Sequence, residues 1–370
     1  MFLYAWRTSQ GWSFFPFILL ELGILSGAVM VRPFIVGICI LEVAAVMMVF
    51  PIQGGRLSST THTVRYLALM MLALPCFLIA SWLIGLHDLS PDDLSLIGYS
   101  VASLSMGFAI LLSVVPFHTW LTGVARNAPP MATAFLAIVF SAVGLSLFLQ
   151  LLVQRYWLTA ETSLFELLWW AGLVTALAAG GLAISQRSLG GLLGYAAVSD
   201  FGVILMGLSL ASTSGAVAAM MHVFHRAIGV MLLAMAAGAI RHSAGTWDLD
   251  ELAGVGKRMP LAAFGLLVGG LSLAGFPLTC GFSSRWLLYG GLAQERLVWP
   301  ALVASACVLV ASLRATAALF REGDLTTTAH EPRSTAALIF AGSTVCLALG
   351  LYPSFLFTMV SQVVSGLPFL

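Results

Sequence analysis

"SVVPFHTWLTGVARNAPPMATAF", residues 113–135, sets Pro116, His118 and Trp120 at the end of one apolar run and a short step before the next. Proline removes a backbone donor and breaks a helix, and a chain merely leaving a membrane needs no histidine at the boundary. What the break is for depends on the rest of the chain. Hydrophobic residues make up 60% of the 370 and charged residues 8%, and the mean hydropathy is +1.01. So few charges cannot cover that much apolar surface in water, so the chain is a polytopic membrane protein. Backbone groups in lipid must be paired within the protein, which selects an all-α bundle.

The net charge of +1 gives no hint of nucleic acid. Cys39, Cys76, Cys280, Cys307 and Cys346 lie in apolar stretches without metal-ligand spacing and read as small buried hydrophobes. No small-residue cleavage site follows the first apolar stretch, so it is expected to be a span rather than a signal peptide. Lys257 is the only lysine.

Windows long enough to cross a bilayer fall at 13–31, 33–52, 64–86, 95–115, 131–153, 166–186, 190–211, 215–240, 260–290, 298–320 and 335–363, eleven in all. With this count, the N-terminal side receives Arg7, Arg56, Arg65, Arg126, Arg187, Arg241, Lys257, Arg258, Arg321 and Arg333. The other side receives Arg32, Arg155 and Arg296 with the acidic turn Asp88, Asp92 and Asp93. The bias places the N-terminus in the cytoplasm and the C-terminus outside. The chain reads as one membrane domain over 1–370, with a first half near 33–153, a second at 166–320 and a final helix at 335–363.

Two spans are interrupted. The fourth ends at Pro116-Phe-His118, and the ninth carries "SLAGFPLTCGFSSRW" (272–286), where Gly275, Pro277 and Gly281 loosen or break the helix. An odd offset of five spans makes the two helices run in opposite directions, as in inverted five-helix repeats around a midplane pathway. Two kinks without a role are the simpler alternative.

These segments resemble the antiporter-like proton-translocating subunits of complex I, membrane-bound hydrogenases and multisubunit cation/proton antiporters. "VVPFHTWLTGVARNAPPMATAFLA" is similar to their Pro-Phe-His-x-Trp segment, and "SQRSLGGLLGYAAVSDFGVILMGLSL" (185–210) to their Leu-Leu-Ala-Tyr-Ser-Ser helix. "HVFHRAIGVMLLAMAAGAIRH" (222–242) and "LDELAGVGKRMPLAAFGLLVGGLSLAGFPLTCGFSSRW" (249–286) follow in the family's order. Such subunits usually carry three further helices at the start. A form lacking them starts inside and ends outside, as the charge count does.

The resemblance implies proton movement along a row of buried ionisable side chains, with lysine suited because burial tunes it for proton exchange. Glu42 matches the family glutamate, with Arg65 following after a short loop. The lysine positions of the family fall on Leu111, Ser141, the Gly190-Gly191 pair and Gly229; a further one becomes Arg285, and a histidine becomes Asp200. Arginine holds its proton, so Arg65, Arg226 and Arg285 are expected to be fixed partners of carboxylates such as Asp200 or Glu42. Leu111 removes the switching partner of Glu42 outright.

Glu42 is either a protonated carboxyl hydrogen-bonded in the bundle or a proton site. Glu21 is also mid-span and matches no family motif. Asp200, with Arg226 and His225 on the following helix, is expected to form a buried ion pair. His222 and His225 share one helical face; a metal needs ligands that are not found, leaving a hydrogen-bonded or proton-handling pair. His118 is expected to satisfy backbone groups freed by the break or to line a cavity.

No catalytic residue and no cofactor are expected in this chain. The expected function is an antiporter-like membrane-arm subunit of a complex I-like or hydrogenase-like redox assembly, in a prokaryotic cytoplasmic membrane, with other membrane-arm subunits as partners. Its proton pathway through Glu42, Asp200, His118, His222 and His225 is expected to be degenerate. The alternative is the membrane half of an ion-driven transporter with a separate partner.

Overall fold

The computed structural model describes residues 1–8, 10–54, 60–93, 95–155, 157–160, 162–322 and 330–364. Arg56, counted above with the N-terminal side, lies outside the described residues. Among the described residues there is no strand, only an isolated bridge between Ser188 and Asp248.

The chain opens with α1 (Phe2–Arg7), α2 (Phe14–Met30), α3 (Phe34–Met47), α4 (Val49–Gln53), α5 (Thr61–Leu89) and α6 (Ser95–Leu111). After a first break come α7 (Thr119–Asn127), α8 (Pro130–Phe135) and α9 (Ser141–Gln154), the last two joined through a π-helical segment at Leu136–Phe140. α10 (Trp157–Ala160), α11 (Thr162–Ile184), α12 (Leu189–Leu208), α13 (Thr213–Ala244) and α14 (Val255–Arg258) follow. α15 (Pro260–Ala274) and α16 (Cys280–Glu295) flank a second break, and α17 (Trp299–Leu319), α18 (Arg333–Leu351) and α19 (Ser354–Val364) end the described chain.

Eight helices among the described residues are long and apolar enough to cross a bilayer, and the shorter apolar helices α2, α6 and α15 occupy the three remaining windows. The last window, read as one span, is bent at Tyr352-Pro353 into α18 and α19, because proline offers no donor to continue the ladder.

α12 is the centre of the bundle: 94% of its apolar window is buried, against 28% for α5 and for α18. It packs on α7, α11, α13 and α17. The approach to α11 is a backbone contact, since a Cβ on Gly202 would lie 2.5 Å from the Ala176 nitrogen. Small residues allow this where no hydrophobic force drives helices together.

Asp88 and Arg155, assigned from sequence to the same side, meet at 2.8 Å, and Arg296 meets Glu166 at 2.6 Å. Towards the other end, a recess of about 480 Å³ is lined by Gln10, His62, Thr63, Arg126 and Arg241 among others; neither Glu42 nor Asp200 lines it.

Candidate functional site: a charge cluster between two helix breaks

The first break runs from Leu112 to His118, and its freed backbone groups are largely claimed by side chains other than the histidine. Trp120 Nε1 donates to the Ile110 carbonyl at 2.9 Å, and Thr175 on α11 accepts from the Val115 amide at 3.1 Å. Ser113 takes a left-handed φ of 56°. Pro116 is exposed, and half-buried His118 sits at the N-cap of α7 beside the Tyr195 ring, 5.8 Å away. The His118 Nδ1 is buried without a hydrogen-bond partner.

The second break is built around Gly275, the C-cap of α15 at φ +72°, where a side chain would run into Arg285. The Phe276 amide reaches back to the Leu271 carbonyl at 2.9 Å, and Pro277 follows in the turn. Arg285, on α16, donates through Nη2 to the Leu273 carbonyl at 2.6 Å, capping the broken helix with a charged group.

The same nitrogen lies 2.7 Å from Asp200 Oδ1. Asp200, on α12, is fully buried, and side chains of three residues converge on it, two as hydrogen bonds to Oδ1 and one as an ion pair at Oδ2 that lacks hydrogen-bond geometry. His222 Nε2 stands 2.8 Å from Oδ1, and Arg226 Nε stands 3.2 Å from Oδ2. Spacings of three and four residues put His222, His225 and Arg226 on one face of α13. Arg226 also donates to the Ala137 carbonyl, to Ser141 Oγ at 3.3 Å and to the Ala197 carbonyl at 3.1 Å. Arg285 Nη1 is taken by Ser305 Oγ at 2.6 Å, itself 2.5 Å from the Tyr289 hydroxyl.

The π-helical segment explains one of these contacts. A π turn releases a carbonyl from the regular ladder, and Ala137, inside it, receives both Arg226 and the Ser141 hydroxyl, the latter at 2.7 Å. Ser141 stands where the family resemblance puts a lysine or histidine; here a guanidinium enters that space from α13.

Ser284 Oγ lies 2.9 Å from Nδ1 of both His222 and His225. A carboxylate only accepts, so His222 donates its Nε2–H to Asp200. With His222 neutral, its Nδ1 accepts the Ser284 hydroxyl, for which the Gly281 carbonyl at 3.2 Å competes, and Ser284 accepts Nδ1–H of His225. His225 Nε2 is left without a partner. The network carries two guanidinium charges against one carboxylate, so with neutral imidazoles its formal charge is +1.

The structure thus unites Asp200, His222, His225, Arg226, Arg285 and Ser141, and corrects two expected pairings. The imidazole on Asp200 is His222; His225 reaches it only through Ser284. Arg65 is exposed and does not pair with Glu42, whose two oxygens are buried without a partner. Arg65 adjoins Tyr66, one of the inward-facing residues of α5, and lies on the exposed side of that helix. Ser284, Ser305 and Tyr289 were missed; a serine immediately before the arginine of "GFSSRW" was the available signal.

The other altered positions are packed solid. Leu111 is fully buried and lies over Gly144, where a Cβ would come 3.1 Å from it. A Cβ on Gly190 would lie 2.5 Å from the Ala125 carbonyl and 2.8 Å from the Trp247 ring, and one on Gly229 would lie 3.1 Å from Leu273. At Gly190 a side chain would meet backbone and a buried ring, and at Gly229 Leu273 would have to give way.

Residues 39–310 match the family described as NADH:quinone oxidoreductase/Mrp antiporter, TM. The chain is 32% identical over 210 residues to NADH-quinone oxidoreductase subunit N of Bdellovibrio bacteriovorus, covering 55% of this chain and 43% of that one. It is 34% identical over 253 residues to a probable K(+)/H(+) antiporter subunit of Rhizobium meliloti, covering 65% and 25%. Formate hydrogenlyase subunit 3 of Escherichia coli is 27% identical over 271 residues, covering 67% and 43%. The chain therefore spans less than half the length of these curated relatives. In fold it resembles a chain of the Mrp complex from Dietzia sp. (TM-score 0.83, 20% identity, 95% of this chain and 77% of that one). A chain of respiratory complex I from Thermus thermophilus gives 0.80, with 20% identity and coverage of 95% and 79%.

Proposed function

The chain belongs to the NADH:quinone oxidoreductase/Mrp antiporter transmembrane family, and we propose that it is an antiporter-like membrane-arm subunit whose proton pathway is degenerate. In this reading it sits in a prokaryotic cytoplasmic membrane, N-terminus inside, among other membrane subunits of a complex I-like or hydrogenase-like redox assembly. It moves few or no protons itself and holds its neighbours in place.

The observation that carries this reading is the grip of Arg226 and Arg285 on Asp200. A relay needs groups that take up and release protons near neutral pH, and guanidinium does neither. Fixed charges stand where exchangeable ones are expected, and their excess positive charge opposes a proton entering this part of the bundle. Leu111 supports the same reading in the first half: an apolar side chain stands where a cation would alternate with Glu42, whose oxygens have no hydrogen-bond partner among the described residues.

The experiment is deletion of the chain from its assembly. The reading expects the neighbouring membrane subunits to stop co-purifying. An assembly that stays complete and loses only part of its proton transport contradicts it.

The second reading, the membrane half of an ion-driven transporter, draws on the Rhizobium relative, whose name is that of a K(+)/H(+) antiporter component. Ion-coupled proton flux in vesicles lacking any redox partner would favour it over the first.

A further inference from the structure

Two acids, Glu21 and Glu42, stand apart from the Asp200 cluster. Glu21 is fully buried and Glu42 is 4% exposed, and none of their four carboxyl oxygens has a hydrogen-bond partner. Buried polar groups are almost always paired, and an ionisable group at membrane depth is costly enough to imply a purpose. Glu21 sits in the middle of the buried stripe of α2, between Ile18 and Leu25.

The two acids lie at one depth. α2 and α3 are consecutive helices packed on each other, joined at Val31 to Pro33. At about 1.5 Å per residue, Glu21 is ~15 Å down one arm of this hairpin and Glu42 ~14 Å down the other. Tyr66 of α5 closes the site: it is fully buried and donates to the Ala45 carbonyl at 2.9 Å, one turn from Glu42. α4 and α9, also packed here, carry no titratable side chain, whereas α7, whose Trp120 ring lies 5.5 Å from that of Tyr66, carries Arg126 at the recess. On α5, Arg65 faces outward and His62 lies a turn away at the recess. Thr63, one turn before Tyr66 on the same buried face, also lines that recess, so an open polar space reaches within a turn of the site.

We propose that Glu21 and Glu42 form a two-carboxyl proton-binding site against Tyr66, in place of the glutamate–lysine pair that Leu111 abolishes. Two carboxylates at one depth with no cation repel each other, so the site retains at least one proton and passes it between the acids through the Tyr66 hydroxyl or a water. It stores protons arriving from the recess and has no lysine to send them onward. This goes beyond the proposed function, and its failure would leave the scaffold reading standing.

Dicyclohexylcarbodiimide tests it on the intact assembly in vesicles. A protonated buried carboxyl gives its proton to a carbodiimide nitrogen, the oxygen adds to the central carbon, and the acyl group shifts to nitrogen. The product is a stable N-acylurea that keeps every atom, and peptide mass spectrometry locates it. The expected result is label on Glu21 as well as Glu42. At the pH of half-maximal labelling, Glu42→Gln should lower labelling of Glu21 several-fold. Absence of label on Glu21, labelling indifferent to Glu42→Gln, or protection by sodium ions, which would mark a cation site, each overturns the proposal. Because Glu42→Gln could impair folding, a charge swap provides a second measurement. Glu21→Lys should assemble with Glu42 present and fail when combined with Glu42→Gln; equal tolerance of both overturns the pairing.

Discussion

Arg285 Nη2 lies 2.7 Å from Asp200 Oδ1 and 2.6 Å from the Leu273 carbonyl, so one nitrogen ties the central helix to the end of a broken one. The break and the charge cluster are therefore a single structure. Gly275 gives the arginine room to cross, and the arginine satisfies a carbonyl that the break sets free.

Asp200→Asn tests the coupling. It keeps the shape and removes the charge that compensates two buried guanidiniums, and breaking a buried pair on one side costs about 3–5 kcal/mol. The expected outcome is a large fall in the midpoint of thermal unfolding in detergent. Arg285→Lys should not be neutral either, because an ammonium cannot reproduce contacts to Asp200, Leu273 and Ser305 at once. A lysine variant as stable as wild type would show that the fork geometry is unimportant.

Ser284→Ala leaves Nδ1 of both His222 and His225 without their shared partner. An unsatisfied buried polar group costs about 1–3 kcal/mol, so destabilisation of that order is expected in the same unfolding measurement. Ser283→Ala, whose hydroxyl donates only to the Cys280 carbonyl, should change little by comparison.

Leu111→Lys does not restore a working pair. The site is fully buried and packed over Gly144, and an ammonium there loses apolar contacts and must be desolvated. Folded yield should drop sharply, whereas Leu111→Met, which conserves volume, should cost less than about 1.5 kcal/mol. Normal yield of the lysine variant would mean that Glu42 reaches it after all.

Trp120→Phe keeps the ring and removes the donor to the Ile110 carbonyl. A loss of about 1 kcal/mol is expected, read as faster amide hydrogen exchange confined to the end of α6 and the start of α7.

Much of this arrangement is legible in the sequence. Apolar windows locate the spans, and Pro116 and Gly275-Phe-Pro277 mark both breaks, because proline and glycine act locally. Asp200 and Arg226 read as partners because the helices carrying them are joined by a short turn. Which histidine meets Asp200 was not legible, since it depends on how the hairpin of α12 and α13 is rotated. The two helices are joined by the turn at Ser209–Ser212, where Ala211 adopts a φ of 47°. Arg65 misled for the same reason: one step along α5, about 100° of rotation, separates an exposed arginine from the buried Tyr66. The π-helical segment that offers Ala137 to Arg226 leaves no mark in composition.

A degenerate proton pathway in this chain has one direct consequence for transport. Proton uptake by vesicles carrying the purified assembly, with Glu42→Gln compared with wild type at matched turnover, reads it. The same number of protons moved per turnover is expected in both. A clear drop in the variant would mean that a rerouted pathway survives through Glu42, and would contradict the scaffold reading.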